Sequence, residues 1–280
     1  MAILSIQSAV AYGHVGNSIA VFPLQRLGFE VWPVDTVQFS NHTGYGAWRG
    51  RAWDAAIIAE VIAGIGERGQ FERCEAVLSG YLGDEAVGDT VLGAAAAVKS
   101  AREDAFYCCD PVIGDDHSGV FVRPGIAEFF RDRALPAADI ITPNRFELAL
   151  LAGCAVTDIA GALAAAETLR TRGPRLVLAT SLPGAAGEIP MLAVGAEGTF
   201  LVTTPRLPLL ANGAGDLTAA LFLGYLLRTR EAGTALAMTA AAVHAVIEAT
   251  VRSGEAELQI VATQDALAAP PRRFAAQRVG

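Results

Sequence analysis

The stretch NGAGDLTAALFLG (212–224) places an aspartate, Asp216, directly behind Gly213, Ala214 and Gly215 and at the head of a long apolar run. Glycines there allow a tight backbone turn. The first amides of the helix that follows have no intrahelical acceptors, and with the positive end of the helix dipole they make an anion site. A carboxylate beside such a site can take a proton from an attacking hydroxyl. The same pattern also describes an ordinary helix start after a turn. TPNRFEL (142–148) sets Asn144 and Glu147 three residues apart where a strand gives way to a helix. That spacing is equally the signature of a capping pair, so both readings stand. CDPVIGDD (109–116) ends a buried strand on Asp110 and carries Asp115 in the loop behind it. Ligands bind at the carboxyl edge of parallel sheets, and Asp110, Asp115 and Glu147 are hard oxygen ligands able to hold Mg2+, partly through water. Residues of a plain turn would look the same.

Two further stretches, IQSAVAYGHVGN (6–17) and VQFSNHTGYGAWRG (37–50), are polar and aromatic and follow strands. Ser8, His42, Thr43, Gly44 and Tyr45 are placed to contact a flat aromatic substrate, and Tyr81 in LSGYLG to stack on it. Taken singly, most are also unremarked loop positions. GIGERG (64–69) matches G-x-G-x-x-G but follows a helix, whereas a dinucleotide fingerprint sits between a strand and a helix. It is set aside.

The elements that must position these residues alternate from end to end. Strand-length apolar runs fall at 2–8, 29–35, 75–80, 105–111, 138–144 and 175–180, with helical patterns at 17–28, 53–64, 85–100, 124–133, 144–152 and 158–172. The strands are nearly continuous apolar runs, as parallel strands covered on both faces require. This is an α/β chain built from β-α-β units. MLAVGAEGTFLV (191–202) reads as an edge hairpin, and two long helices, 214–230 and 234–252, close the fold. No linker or repeat divides the chain, so one domain over 1–280 is expected.

Composition removes several classes. Of 280 residues 52% are hydrophobic and 18% charged, a packed globular composition, and the net charge of −8 disfavours nucleic acid or an anionic membrane as partner. Only one of the 21 basic residues is a lysine, Lys99, in a polar helix end where it reads as solvated. A Walker A loop, a protein-kinase phosphate lysine and a Schiff-base enzyme each need a lysine in a particular setting that Lys99 does not have. The four cysteines show no C-x-x-C spacing and read as small core residues in a reducing compartment. The N-terminus lacks a basic leader region and no uninterrupted apolar run approaches a membrane span, so a cytoplasmic protein is expected.

Together these segments resemble the pyridoxal kinases of the ribokinase superfamily over nearly the whole chain. IQSAVAYGHVGN, VQFSNHTGYGAWRG and LSGYLG look like that family's substrate stretches, and CDPVIGD, DIITPNRFE and NGAGDL like its nucleotide, metal and catalytic motifs. The resemblance implies a three-layer fold with a central, mainly parallel sheet flanked by helices. It implies that Ser8 and Thr43 bind pyridoxal, that Asp216 is the base, and that Asp110, Thr142, Asn144 and Glu147 line the nucleotide and cation site with Asp115 near Mg2+. Thr180 and Ser181 correspond to a nucleotide contact, and RLPLLANGAG (206–215), with Arg206, Leu207 and Asn212, to the loop and anion hole around ATP. ATP as co-substrate, Mg2+, room for a monovalent cation and a homodimer all follow from the same likeness. The implied reaction is in-line transfer of the γ-phosphoryl group to the 5′-hydroxyl of pyridoxal, with Asp216 ionised at its ordinary pKa of ~3.9. Hydroxymethylpyrimidine kinases share the nucleotide motifs and are the nearest alternative. A low-turnover vitamin B6 binding protein is a third.

Overall fold

The computed structural model describes residues 1–209, 212–271 and 273–279. The strands are β1 (Ala2–Val10), β2 (Glu30–Phe39), β3 (Gly50–Ala52), β4 (Cys74–Ser79), β5 (Phe106–Cys109), β6 (Gly114–Asp115), β7 (Gly119–Val120), β8 (Ile140–Ile141), β9 (Leu176–Ala179), β10 (Glu188–Gly195), β11 (Gly198–Pro205) and β12 (Gln277–Val279). The helices are α1 (Asn17–Arg26), α2 (Ala55–Glu67), α3 (Ala86–Ala101), α4 (Ile126–Phe129), α5 (Leu135–Ala137), α6 (Arg145–Ala152), α7 (Ile159–Arg170), α8 (Ala214–Thr229), α9 (Ala232–Ser253) and α10 (Gln264–Ala268). Ten strands form one sheet in the order β12-β11-β10-β9-β8-β5-β4-β1-β2-β3, and β6-β7 is a small separate hairpin. β2, β1, β4, β5, β8 and β9 run parallel, while β10, β11 and β12 add antiparallel strands at one edge and β3 at the other.

Alternate residues of each parallel strand feed two separate cores. Leu4, Ile6, Val77, Tyr107, Ile141 and Val177 pack with α2, α3, α6 and α7, whereas Ile3, Leu78, Cys108, Ile140 and Leu178 pack with α1, α8 and α9. Both faces being apolar is why these strands read as continuous runs rather than alternating ones. The result is three layers, helix on sheet on helix, as expected. The hairpin at the edge also forms as expected.

Three departures have physical causes. The run at 138–144 keeps only two residues as strand, because Pro143 cannot donate to the ladder and the chain turns at once into α6. The short edge strands β3 and β12 and the hairpin β6-β7 are two or three residues long, below what a pattern can signal. Lys99 is not a solvated helix residue: its side chain is 32% exposed and pairs with buried Asp139, which also takes the Tyr107 N–H at 2.8 Å and Arg175 at 2.9 Å. By length and composition α9 could cross a membrane, yet Ala235, Leu236, Ala242 and Val246 lie in the core against α8 and β11. Cys74, Cys108 and Cys109 are buried and free, as read from the sequence, whereas Cys154, read there as a core residue, is exposed.

Candidate active site

The parallel strands end together at one edge of the sheet, and the carboxylates gather there. Beyond β5 the ladder continues by one rung: Asp110 donates its N–H to Ser79 O at 2.8 Å, and Thr142 to Cys109 O at 3.1 Å. Both side chains are buried, and the Thr142 hydroxyl donates to Asp110 Oδ1 at 2.7 Å. Asn144 caps α6 in a full capping box: its side chain accepts the Glu147 N–H at 3.0 Å and Glu147 Oε2 accepts the Asn144 N–H at 2.9 Å. Glu147 is more than a cap, because Oε1 also accepts the N–H groups of Ile113 at 2.9 Å and Gly114 at 3.4 Å. Asn144 Nδ2 donates back to Gly114 O at 2.8 Å, so α6 is bolted to the turn that carries Asp110. Thr180 bridges to Asn144 and donates its N–H to Pro143 O at 3.0 Å. Ser181 beside it has φ 56, a left-handed backbone that side-chain-bearing residues adopt at a cost. Asp115 lies apart from this strip in purpose: Oδ1 accepts the N–H groups of His117 and Ser118, shaping its own turn.

Asp216 occupies the first turn of α8. Gly213 has φ 84, and a Cβ there would lie 1.8 Å from His14 O, so only glycine fits. Gly16 is equally constrained: its φ is 53 and a Cβ would fall 2.2 Å from Ser8 O. The N–H of Gly16 hydrogen-bonds the Asp216 carboxylate. Ser8, His14, Gly16 and the 213–216 turn are therefore one packed unit. Burial pushes the Asp216 carboxyl up to about 6, with the Gly16 hydrogen bond opposing. The expectation of an ordinary carboxylate is corrected: half-closed surroundings tune it toward neutrality. Burial first, and the Asp216 charge second, raise Asp110 to about 7. Glu147 is raised by burial and then by Asp110. Asp110 therefore neighbours two further carboxyl groups, Asp216 and Glu147, and such a gathering of acids suits a cation. Among the described residues no three acidic, histidine or cysteine side chains cluster tightly enough to form a metal cage alone. Asp110 thus fits a cation that keeps most of its ligands as water and phosphate oxygens.

Beside Asp216 opens a cleft of about 160 Å³ lined by Thr180, Ser181, Arg206, Leu207, Gly215 and Thr218. Five of these were expected around a nucleotide. Its apolar wall, with Met191, Val243 and Ile247, carried no motif, since those residues come from β10 and the alanine-rich α9. Asn212 belongs to the turn before α8. Leu210 and Ala211, within the 206–215 stretch, lie outside the described residues. A larger groove of about 1040 Å³, bordered by Phe200, Met238 and Phe274, holds none of the carboxylates above.

Thr43–Tyr45 forms a single helical turn whose Gly44 N–H donates to His42 Nδ1 at 3.1 Å. A Cβ at Gly44 would sit 4.0 Å from Asn212 Nδ2, which brings this turn against the loop of Asp216. Burial lowers the His42 pKa and raises that of the half-buried Tyr81.

Comparison with known proteins decides the family. The chain is 59% identical over 281 residues to pyridoxal kinase PdxY of Rubrobacter xylanophilus, covering 99% of this chain and 97% of that one. It belongs to the pyridoxal kinase family. Pyridoxal kinase PdxY of Leifsonia xyli is 53% identical with full coverage of both chains. The pyridoxal kinase of Leishmania donovani in complex with ADP and pyridoxamine superposes with a TM-score of 0.93 at 29% identity, covering 100% of this chain and 99% of that one. The fold is accordingly ribokinase-like. A broader family model, phosphomethylpyrimidine kinase, matches residues 55–260 and so begins after the two N-terminal stretches that carry Ser8 and Thr43.

Sequence reasoning missed two sets of residues within this pyridoxal kinase fold. Ser5, Gln7, Asn17 and Asp35 form a buried polar network beneath Ser8: Ser5 Oγ donates to Asn17 Oδ1 at 2.7 Å and Asn17 Nδ2 to Asp35 Oδ1 at 2.8 Å. Polar residues inside β1 were the available signal. Glu257 gave none, being one acidic residue in a polar turn near the C-terminus.

Proposed function

We propose that this chain transfers the γ-phosphoryl group of ATP to the 5′-hydroxyl of pyridoxal. The observation that carries the reading is the position of Asp216 in the first turn of α8, where Ala214 and Gly215 line a cleft with Thr180, Ser181 and Arg206 and the preceding Asn212 meets Gly44 of the 43–45 turn. ADP and pyridoxamine occupying the Leishmania relative together support the same pairing of ligands. In this reading the 5′-hydroxyl lies beside Asp216, which takes its proton as the new O–P bond forms and the bond from the γ-phosphorus to the β-phosphate oxygen breaks, releasing ADP. The free first-turn amides of α8, behind Gly213, Ala214 and Gly215, stabilise the oxygens of the transferring group. Asp216 near 6 is still mostly ionised at pH 7, and closer to matching the proton it must hold than an unperturbed carboxylate would be.

Asp110 would hold Mg2+, and Glu147 with Asn144 and Thr142 keeps Asp110 and the turn at 113–114 in place. Such an ion would supply positive charge against the triphosphate. Asp115 shapes the adjoining turn. Ser8, His42, Tyr45 and Tyr81 surround the pyridine ring, Ser8 from β1 and Tyr81 from the turn after β4. A homodimer is supported by α2, whose outward residues Ile57 and Val61 are 45% and 49% exposed and whose only charges are Glu60 and Glu67. Such an apolar surface on an outer helix favours a second copy as cover.

The alternative, a hydroxymethylpyrimidine kinase, is favoured by the family model alone. An ATP-dependent assay across pyridoxal, pyridoxine, pyridoxamine and hydroxymethylpyrimidine separates them. A higher kcat/KM for pyridoxal is expected, and the reverse order would move the chain to the pyrimidine kinases. Binding of the vitamin with no ATP-dependent turnover would leave a vitamin B6 binding protein.

A further inference from the structure

Resting on the pyridoxal kinase reading above, we infer that Glu257 is the positioning residue that pins the substrate-side loops over the pyridine site, setting the KM for the vitamin while taking no part in phosphoryl transfer. Glu257 stands in the turn that follows α9, far along the chain from the loops it touches. Its side chain is only 13% exposed. Oε2 accepts the backbone N–H of His14 at 2.9 Å, with His14 Nδ1 3.6 Å away. Oε1 accepts the hydroxyl of Tyr45. Gly13 packs so closely that a Cβ there would lie 2.7 Å from Oε1. One carboxylate thus joins the loop after β1, the turn after β2 and the segment after α9.

What those loops hold gives the pin its effect. The His14 carbonyl is the surface against which Gly213 turns, and Gly16 two residues on binds Asp216. Tyr45 closes the turn that carries Thr43 and Gly44, and Gly44 faces Asn212. The Tyr45 phenol, raised to about 12 by burial and by Glu257, stays a hydrogen-bond donor at any working pH. Tyr45 is itself 40% exposed and its ring stands 6.4 Å from that of Tyr12 on the loop after β1, a second contact between the two loops. Without the carboxylate the 42–46 turn must be ordered at the moment of binding, an entropic cost that falls on the vitamin. ATP enters on the opposite side of Asp216, against Thr180 and Arg206, and should not feel that cost. Asp216 keeps its own hydrogen bond from Gly16, so the chemical step should survive.

The experiment is steady-state kinetics of the full chain as Glu257→Gln, Tyr45→Phe and the double variant. Losing a charge-assisted hydrogen bond should raise the pyridoxal KM by about 10–100-fold in Glu257→Gln, with kcat and ATP KM within about threefold. Adding Tyr45→Phe to Glu257→Gln should change the pyridoxal KM by less than about twofold, because the two act as one unit. A pyridoxal KM within twofold of the parent, or an ATP KM rising in step with it, overturns the inference. Should Glu257→Gln fail to fold, Glu257→Asp, whose shorter carboxylate cannot reach both the His14 N–H and the Tyr45 hydroxyl, should raise the pyridoxal KM about 3–10-fold, and a parent-like value overturns it. A parent that phosphorylates hydroxymethylpyrimidine and not pyridoxal would defeat the functional reading instead. The pin is then read without turnover: amide exchange of 42–46 should be at least about tenfold faster in Glu257→Gln, and unchanged exchange overturns it.

Discussion

Around Asp110, Thr142 and Glu147 the hydrogen bonds of the side chains span at most 34 residues of chain, most of them to the backbone, whereas Tyr45 and His14 meet Glu257 across 212 and 243 residues. In the proposed reading the first group, strand ends, a capping box and a glycine turn, serves cation and nucleotide, and the second, two loops and a carboxylate brought from the far end of the molecule, serves the vitamin. The difference would then follow from what each side recognises. Phosphate and metal ask for fixed charges and amides, which secondary structure supplies locally. A flat, partly apolar ring asks for side chains on loops, and loops need something to hold them.

The largest expected effect tests the point where the two sides meet. Asp216→Asn keeps the size and hydrogen bond of the side chain but cannot accept a proton. Turnover should fall by about 10²–10⁴-fold while binding of ATP and pyridoxal, measured by calorimetry, stays within a few-fold. Turnover within about threefold of the parent would return Asp216 to a helix-start residue. Glu147→Gln comes next and acts on one side only. Its new NH2 must face a backbone N–H of Ile113 or Asn144, so Tm should drop by about 2–8 °C, and ATP KM should rise about tenfold with pyridoxal KM little changed. A lowered Tm with ATP KM and magnesium dependence intact would leave Glu147 a purely structural cap.

How much of this was legible in the sequence follows the same division. NGAGDL, TPNRFEL and CDPVIGDD were readable because each is a local rule: a glycine forced by a close carbonyl, a cap with Glu at the third position, an acid at a strand end. The parallel sheet was readable because both its faces are apolar. Ser8, Thr43 and Tyr45 were picked out only as polar and aromatic residues in loops after strands, Ser8 and Thr43 gained a role only through resemblance, and Glu257 was reached by neither route. Nothing in the order of residues says that the turn after α9 returns to β1; only the packing of α8 and α9 on one face of the sheet brings it there. The raised carboxyl of Asp216 was missed for the same reason, since desolvation is a property of neighbours.

Asp110 gives a third, smaller effect, with a definite sign. Its folded pKa of about 7 lies above the ~3.9 of an unfolded chain, so the folded state holds the proton more tightly. The contribution is favourable at low pH and is lost as pH rises from about 4 through 7. Without ligands, Asp110→Asn should therefore be more stable than the parent at pH 8, by about 2–6 °C in Tm, and the gap should close by pH 4–5. It should also be inactive, since the charge that strains the empty fold is the one offered to the cation. A Tm gap that stayed constant across pH would separate Asp110 from this charge cluster.

Ser181→Gly should have the smallest effect and bears most directly on how the nucleotide side is held. Among the described residues Ser181 is one of two non-glycine residues with positive φ, the other being Arg230 at the end of α8. A left-handed serine costs on the order of 1 kcal/mol, and glycine removes that cost but adds a similar entropy to the unfolded chain. The two nearly cancel, so Tm should move by less than about 3 °C. Function should separate them. The strained backbone directs Ser181 into the cleft beside Arg206 and Gly215, so losing the hydroxyl and the constraint together should raise ATP KM about 3–10-fold. Pyridoxal KM and kcat should remain within twofold, the mirror image of Glu257→Gln. If ATP KM stayed at the parent value, the strain would belong to the turn between β9 and β10 and not to the nucleotide. If pyridoxal KM rose with it, the two sides would be coupled through the sheet edge and could not be treated as separately held.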